Sequence, residues 1–227
     1  LSFKTELQFA LNKTGELPVK PPAAAPSQQP ASFDLNEKSR MIEDGPFRKR
    51  FSLDGDWDLM PLGTEKSFPM DLFKYPVPAG KWSKAKVPVI NYPTNGWSGP
   101  EHAAWYRTQF TAPQAAQGSR VFLHFEEASY STVFFLNGKE LSRHFGGYIP
   151  LDFDVTDILN PGQPNTLEVF AADFAAALDK KAYPDGAPKT PSFSALKADS
   201  VSGLIYASNK GILQSVSLDL VPTSRVS

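Results

Sequence analysis

The chain contains no cysteine, and only three histidines and three methionines occur among its 227 residues. A disulfide scaffold, a thiol nucleophile and a cysteine-ligated zinc site are therefore excluded, although the lack of cysteine fits either redox compartment. No sign of charge prevails, since 23 Lys and Arg are interspersed with 24 Asp and Glu. Without a basic block or stripe, no nucleic-acid partner is expected. No apolar run is long enough to cross a membrane, and no membrane partner is expected. Helical periodicity is nearly absent, the exception being Phe174 to Lys181. The N-terminus, Leu1-Ser2-Phe3-Lys4, has neither an initiator methionine nor a signal-peptide pattern, and reads as the start of a processed or excised piece of a longer chain.

What the chain does have is 17 Phe, 21 Pro and 15 Gly. Aromatic strands interrupted by Pro/Gly turns predict an all-β fold. Residues 1–12 alternate, with Phe3, Leu7, Phe9 and Leu11 on one face, and predict a strand that docks elsewhere (1–17). Residues 18–32 have the composition of a Pro-rich linker. Residues 33–49 read as a charged lead-in with one helical turn, which places the main domain at 50–222 and a short tail at 223–227. Within that domain, strands are expected around Trp57-Leu59, Trp105–Phe110, Val121–Phe125, residues 131–136, Leu151-Phe153-Val155, Leu167–Ala171 and Val216–Leu220. Asn137-Gly138 is the strongest hairpin signal. Many short strands separated by regular turns imply a β-sandwich or jelly roll. Residues 182–210 form a long irregular stretch, and stretches of that length are either functional or disordered.

Residues 52–222 resemble the N-terminal sugar-binding domain of family-two glycoside hydrolases, the group of β-galactosidases, β-glucuronidases and β-mannosidases. The fragments that carry the resemblance follow the family's order. They are Ser52-Leu53-Asp54-Gly55-Asp56-Trp57, Val87-Pro88, Trp105-Tyr106-Arg107 and Arg120 through Glu126. Next comes Leu136-Asn137-Gly138-Lys139, followed by His144-Phe145-Gly146-Gly147-Tyr148 and Phe153-Asp154-Val155-Thr156. Gly211-Ile212-Leu213-Gln214-Ser215-Val216 closes the series, with Gln214 where the family usually has Arg. The resemblance implies a galactose-binding-like jelly roll, a carbohydrate ligand and a catalytic β/α barrel elsewhere in the parent chain.

Hydrolysis of a glycosidic bond takes two carboxyl groups flanking it, about 5 to 10 Å apart. In the family these come from the barrel, which needs about 250 residues. Asn36-Glu37 is similar to the family's acid/base pair but precedes the sandwich and reads as solvated lead-in. Glu126 and Glu127 are neighbours on a strand, so they point to opposite faces and cannot share one substrate. No catalytic residue is therefore expected here. Candidate sugar contacts come from loops that mix aromatic and polar side chains. Asn95, Trp97 and Glu101 lie in the first such loop, where Trp97 serves either as a platform or as a plug for the core edge. His144 and Tyr148 flank a glycine pair, where they either touch sugar or brace the bend. Tyr206 and Asn209 precede the closing strand. His102, His124 and His144 are too scattered to form a metal motif, and no cofactor is identified. Asp152, Asp154 and Asp173 are available to a structural calcium ion but lack a calcium-loop pattern. The open readings are an accessory domain of a glycosidase, a free-standing carbohydrate-binding module and a structural interaction domain.

Overall fold

The computed structural model describes residues 30–62, 77, 79–88, 103–172 and 210–223. The candidates Asn95, Trp97, Glu101, Tyr206 and Asn209 lie outside these residues, as do residues 1–12, the 174–181 segment and His102.

Two sheets face each other. The larger is built from β10 (Lys139–Phe145), β9 (Ser131–Leu136), β12 (Pro164–Ala172), β6 (Ala103–Thr111), β4 (Gly55–Leu62) and β5 (Ser83–Val87), in that order. β1 (Ser32–Asp34) joins it by running parallel to the end of β6. The smaller sheet has the order β11 (Leu151–Asp154), β7 (Ser119–Phe125), β14 (Val216–Pro222), β3 (Lys49–Ser52) and β2 (Met41–Asp44). A two-stranded ribbon pairs β8 (Ala128–Ser129) with β13 (Gly211–Ile212). The expected all-β sandwich is thus the observed architecture.

The space between the sheets is filled by one apolar cluster that includes Trp57, Tyr106, Phe110, Leu123, Phe125, Phe134, Leu136 and Leu218. Phe134 packs at 4.9 Å from Phe125 and 4.8 Å from Phe153, between ring centroids. β9 is apolar on both faces for a visible reason. Phe134 and Leu136 enter the main core, whereas Val133 and Phe135 join Trp105 and Phe170 in a second buried layer on the outer face. Asn137 (φ 52) and Gly138 (φ 81) both take positive φ, as a tight two-residue hairpin turn requires. The Asn137 side chain donates to Ile158 O and Asn165 Oδ1, which seals this end of the sandwich.

The lead-in reading of residues 33–49 requires correction, because the sandwich begins near Ala31. β1, β2 and β3 all pair within the sheets, with the expected helical turn at Lys38–Arg40 between them. These strands escape a search for apolar alternation because their outer face carries charge. Asp219 accepts two bonds from Arg50, at 2.7 and 2.6 Å, and lies 3.7 Å from Arg48, which also binds Glu43. Asp219 and Ser217 point away from the core, as alternation predicts, yet both are buried. The last linker residues are anchored too: Ala31 N–H donates to Asp58, and Ala31 O accepts from Gln109 N–H.

After β11 the chain turns on Asp154, whose carboxylate accepts from the Thr156 hydroxyl at 2.6 Å and from Arg120 at 2.6 Å. Residues 156–159 then form a single hydrogen-bonded turn on Val155 O. The Thr156 hydroxyl, and then Arg120, hold the Asp154 carboxyl down at about 2. A lowered folded-state value contributes stability above the unfolded value, and that stability is lost as pH falls through about 2. Carboxyl NMR titration is expected to place the Asp154 midpoint near 2, and Thr156→Val to move it upward. A midpoint at the ordinary aspartate value would contradict the bonding described.

Candidate functional site

Strand register brings one strand end beside each candidate loop to a single rim of the sandwich. On the larger sheet a single transverse row runs Leu62, Ala103, Ala172, Ser131, Phe145, each residue opposite the next. Ala103 follows residues 91–102 in sequence, Ala172 and Gly211 border residues 173–210, and Phe145 leads into the glycine pair. One strand end beside each of the three sequence-selected loops therefore lies at this rim, while Val87, on the N-terminal side of the first loop, lies opposite Gly55 at the other end of β4. Of the seven selected residues, His144 and Tyr148 are described, and both sit there.

The rim is tied together by backbone bonds. Tyr130 N–H donates to Ala172 O at 3.0 Å, and Gly146 N–H donates to Tyr130 O at 2.8 Å. The β8–β13 ribbon brings Gly211 opposite Ser129. Each glycine here permits a close approach. An added Cβ at Gly147 would lie 2.6 Å from Ser129 Oγ, and one at Gly211 (φ +106) would fall on the Tyr106 hydroxyl. Tyr148 itself has φ 65 and remains about half exposed, beside an equally exposed Ile149. A non-glycine residue held at positive φ marks a place where the surroundings over-determine the backbone.

Sequence reasoning overlooked what holds Tyr148. Glu127 is buried, and its Oε1 accepts the Tyr148 N–H at 3.3 Å. Burial raises the Glu127 carboxyl above the usual carboxylate range, and the bond from Tyr148 only partly opposes this. Its neighbour Glu126 is exposed; both residues lie in the connection between β7 and β8 rather than on a strand as expected, so strand alternation does not set their directions. The available signal was a carboxylate amid the apolar pattern of Phe125, Ala128 and Tyr130. His144 lies opposite Thr132, and burial lowers its imidazole below the usual range. Its Nε2 and the hydroxyls of Ser129, Thr132 and Tyr106 are buried polar atoms without a hydrogen-bond partner among the described residues.

Away from the rim, His124 Nδ1 lies 2.7 Å from Asp152, and Asp154 is engaged by Thr156 and Arg120. Among the described residues no three His, Asp or Glu side chains gather in a way that would hold a metal ion. Glu37 lies in the turn after β1, where it accepts from the Ser39 hydroxyl, while Asn36 binds Asp34.

Because its folded-state value is raised, Glu127 favours the folded state most below the unfolded value near 4.5, and that contribution is lost as pH climbs through the folded-state value. Glu127→Gln is accordingly expected to melt at a higher temperature than wild type at pH 7, with the gap closing near pH 4. Equal melting temperatures at both pH values would refute a carboxylate strained by burial.

Residues 89–201 match the family described as "Glycosyl hydrolase 2 galactose-binding domain-like". A β-galactosidase of Thermoanaerobacter pseudethanolicus is 24% identical over 143 residues, covering 59% of this chain and 17% of that protein. A β-glucuronidase of Paenibacillus borealis is 30% identical over 86 residues, covering 38% of this chain and 14% of the relative. The chain thus spans less than a fifth of these relatives. Among solved structures, a β-glucuronidase from an uncultured Clostridium superposes with a TM-score of 0.57 at 24% identity, over 80% of this chain and 30% of that one. The Bifidobacterium dentium β-glucuronidase complexed with coumarin-3-O-glucuronide gives 0.55 at 23% identity, over 79% and 31%. With the sandwich, the ordered sequence fragments and the matched family in agreement, this chain is similar to the galactose-binding-like domain of the family-two glycoside hydrolases.

Proposed function

We propose that the chain is a non-catalytic accessory domain of a β-glycosidase, and that its rim forms one wall of the parent enzyme's sugar site. The observation that supports this most directly is the transverse row from Leu62 to Phe145, which sets Ala103, Ala172 and Phe145, one strand end beside each sequence-selected loop, at one end. The names of the relatives, β-galactosidase and β-glucuronidase, fit a parent acting on β-glycosides. Glu126 is exposed while Glu127 is buried and bonded to the Tyr148 N–H, which does not resemble two carboxyls flanking one bond. In this reading Tyr148, Trp97, Asn95, Glu101, His144, Tyr206 and Asn209 contribute the sugar-facing groups, and the bond-breaking carboxylates belong to a barrel in the parent chain.

The test has two arms. The purified chain should leave nitrophenyl β-glycosides intact; hydrolysis by it would overturn the non-catalytic assignment. In the parent enzyme, Tyr148→Ala and Trp97→Ala should raise KM with kcat little changed, because they remove contacts made equally to substrate and transition state. Unchanged KM in both variants would defeat the sugar-wall assignment. Millimolar or tighter glycan binding by the isolated chain would instead favour a free-standing module.

A further inference from the structure

We infer that Glu127 is a positioning residue that sets the shape of the sugar-facing rim by latching the Gly146–Tyr148 turn onto the body of the sandwich. This rests on the accessory-domain reading above. The residue is bonded in two directions. Its main-chain oxygen accepts the N–H groups of Leu213 and Gln214, at 3.1 and 3.3 Å, which fixes the segment between β13 and β14. Its side-chain Oε1 accepts the Tyr148 N–H, which fixes the loop between β10 and β11. One residue therefore joins three rim segments that are far apart in sequence.

The fit around the carboxyl is close. An added Cβ at Gly147 would lie 2.6 Å from Ser129 Oγ and 3.7 Å from Glu127 Oε1, so the turn rests directly on the Glu127–Ser129 pair. The turn in exchange presents Tyr148 at φ 65, half exposed, with Ile149 beside it. A left-handed tyrosine backbone costs free energy and persists only where neighbours enforce it. The Glu127 carboxyl is a neighbour suited to enforce it, and burying that carboxyl is itself unfavourable. Two unfavourable features maintained in contact point to a shape kept for use rather than for stability.

Backbone amide hydrogen exchange on the whole chain reads the latch without any sugar. Glu127→Ala should accelerate exchange at Tyr148 by about ten-fold or more, the loss expected for a hydrogen bond to a charged group. Leu213 and Gln214, bonded to the main chain of the same residue, and Val169 in the core should stay within about two-fold. Glu127→Gln, which keeps an acceptor oxygen, should restore protection at Tyr148. Unchanged Tyr148 exchange in Glu127→Ala would overturn the inference. So would uniform acceleration at Tyr148, Leu213 and Val169, which marks a residue that merely supports the fold. If Glu127→Ala does not fold, Glu127→Asp, one methylene shorter, replaces it with the same expected pattern.

In the parent enzyme, Glu127→Ala should raise KM for the β-glycoside as Tyr148→Ala does, with Glu127→Gln near wild type. Lost protection with unchanged KM would refute the functional half of the inference. If Tyr148→Ala and Trp97→Ala also leave KM unchanged, the accessory-domain reading fails as well, and the exchange data still decide whether Glu127 latches the turn.

Discussion

Asp58→Ala should lower stability by roughly 3–5 kcal/mol, the cost of breaking a buried charge pair from one side. Asp58 is almost fully buried on the outer face of the larger sheet and serves three donors. Lys84 Nζ lies at 2.6 Å, Arg107 Nη2 at 3.4 Å and the Ala31 N–H at 3.0 Å. Arg107 also stacks over Trp82 at 4.1 Å and is itself largely buried, so it cannot turn to solvent when its carboxylate is removed. For a domain of this size the loss corresponds to a melting temperature lower by roughly 10 °C or more. Lys84→Met, which removes a half-exposed partner, should cost under about 1 kcal/mol. Thermal denaturation of the two variants checks the asymmetry. Equal, small effects would mean that Asp58 is only a surface charge.

Gly211→Ala is expected to be nearly as damaging, at roughly 3 kcal/mol, because it combines backbone strain with overpacking. Gly211 has φ +106, and its absent side chain is the space taken by the Tyr106 hydroxyl. That hydroxyl is buried without a hydrogen-bond partner among the described residues, and burial pushes the phenol pKa upward. Tyr106→Phe alone should therefore be neutral or stabilising, since it removes an unsatisfied polar atom. Combining the two substitutions should recover the steric part of the Gly211→Ala loss and leave the backbone part, a coupling that chemical denaturation of the four proteins measures. Strict additivity would show that Tyr106 and Gly211 do not compete for that space.

The strands that were legible in the sequence are β4, β6, β7, β9, β11, β12 and β14, through apolar alternation or, in β9, a run of β-branched and aromatic residues, together with the hairpin at Asn137-Gly138. β1, three residues long, is too short to show alternation, and β2 and β3 were not legible because Glu43 and Arg50 supply charge where a buried face would supply Leu or Val. Their partner Asp219 lies 169 residues from Arg50, a separation no local window detects. The candidate loops were legible as mixtures of aromatic and polar residues. Their common rim was not, because it depends on the register of five strands. Glu127 escaped notice for a related reason: a carboxylate next to another carboxylate reads as solvated, and only the return of the Gly147–Tyr148 turn reveals it as buried.

The placement of β14 has a consequence for synthesis. It is the last strand of the domain, yet it sits in the middle of the smaller sheet, between β7 and β3. A nascent chain leaving the ribosome must hold β2, β3, β7 and β11 without their central partner until residues 216–222 emerge. Pairings across such long separations are slow to form and leave strand edges open meanwhile. A nascent chain that stalls or terminates ahead of Val216 therefore exposes two unmatched edges, a natural handle for chaperones and proteases that inspect unfinished proteins.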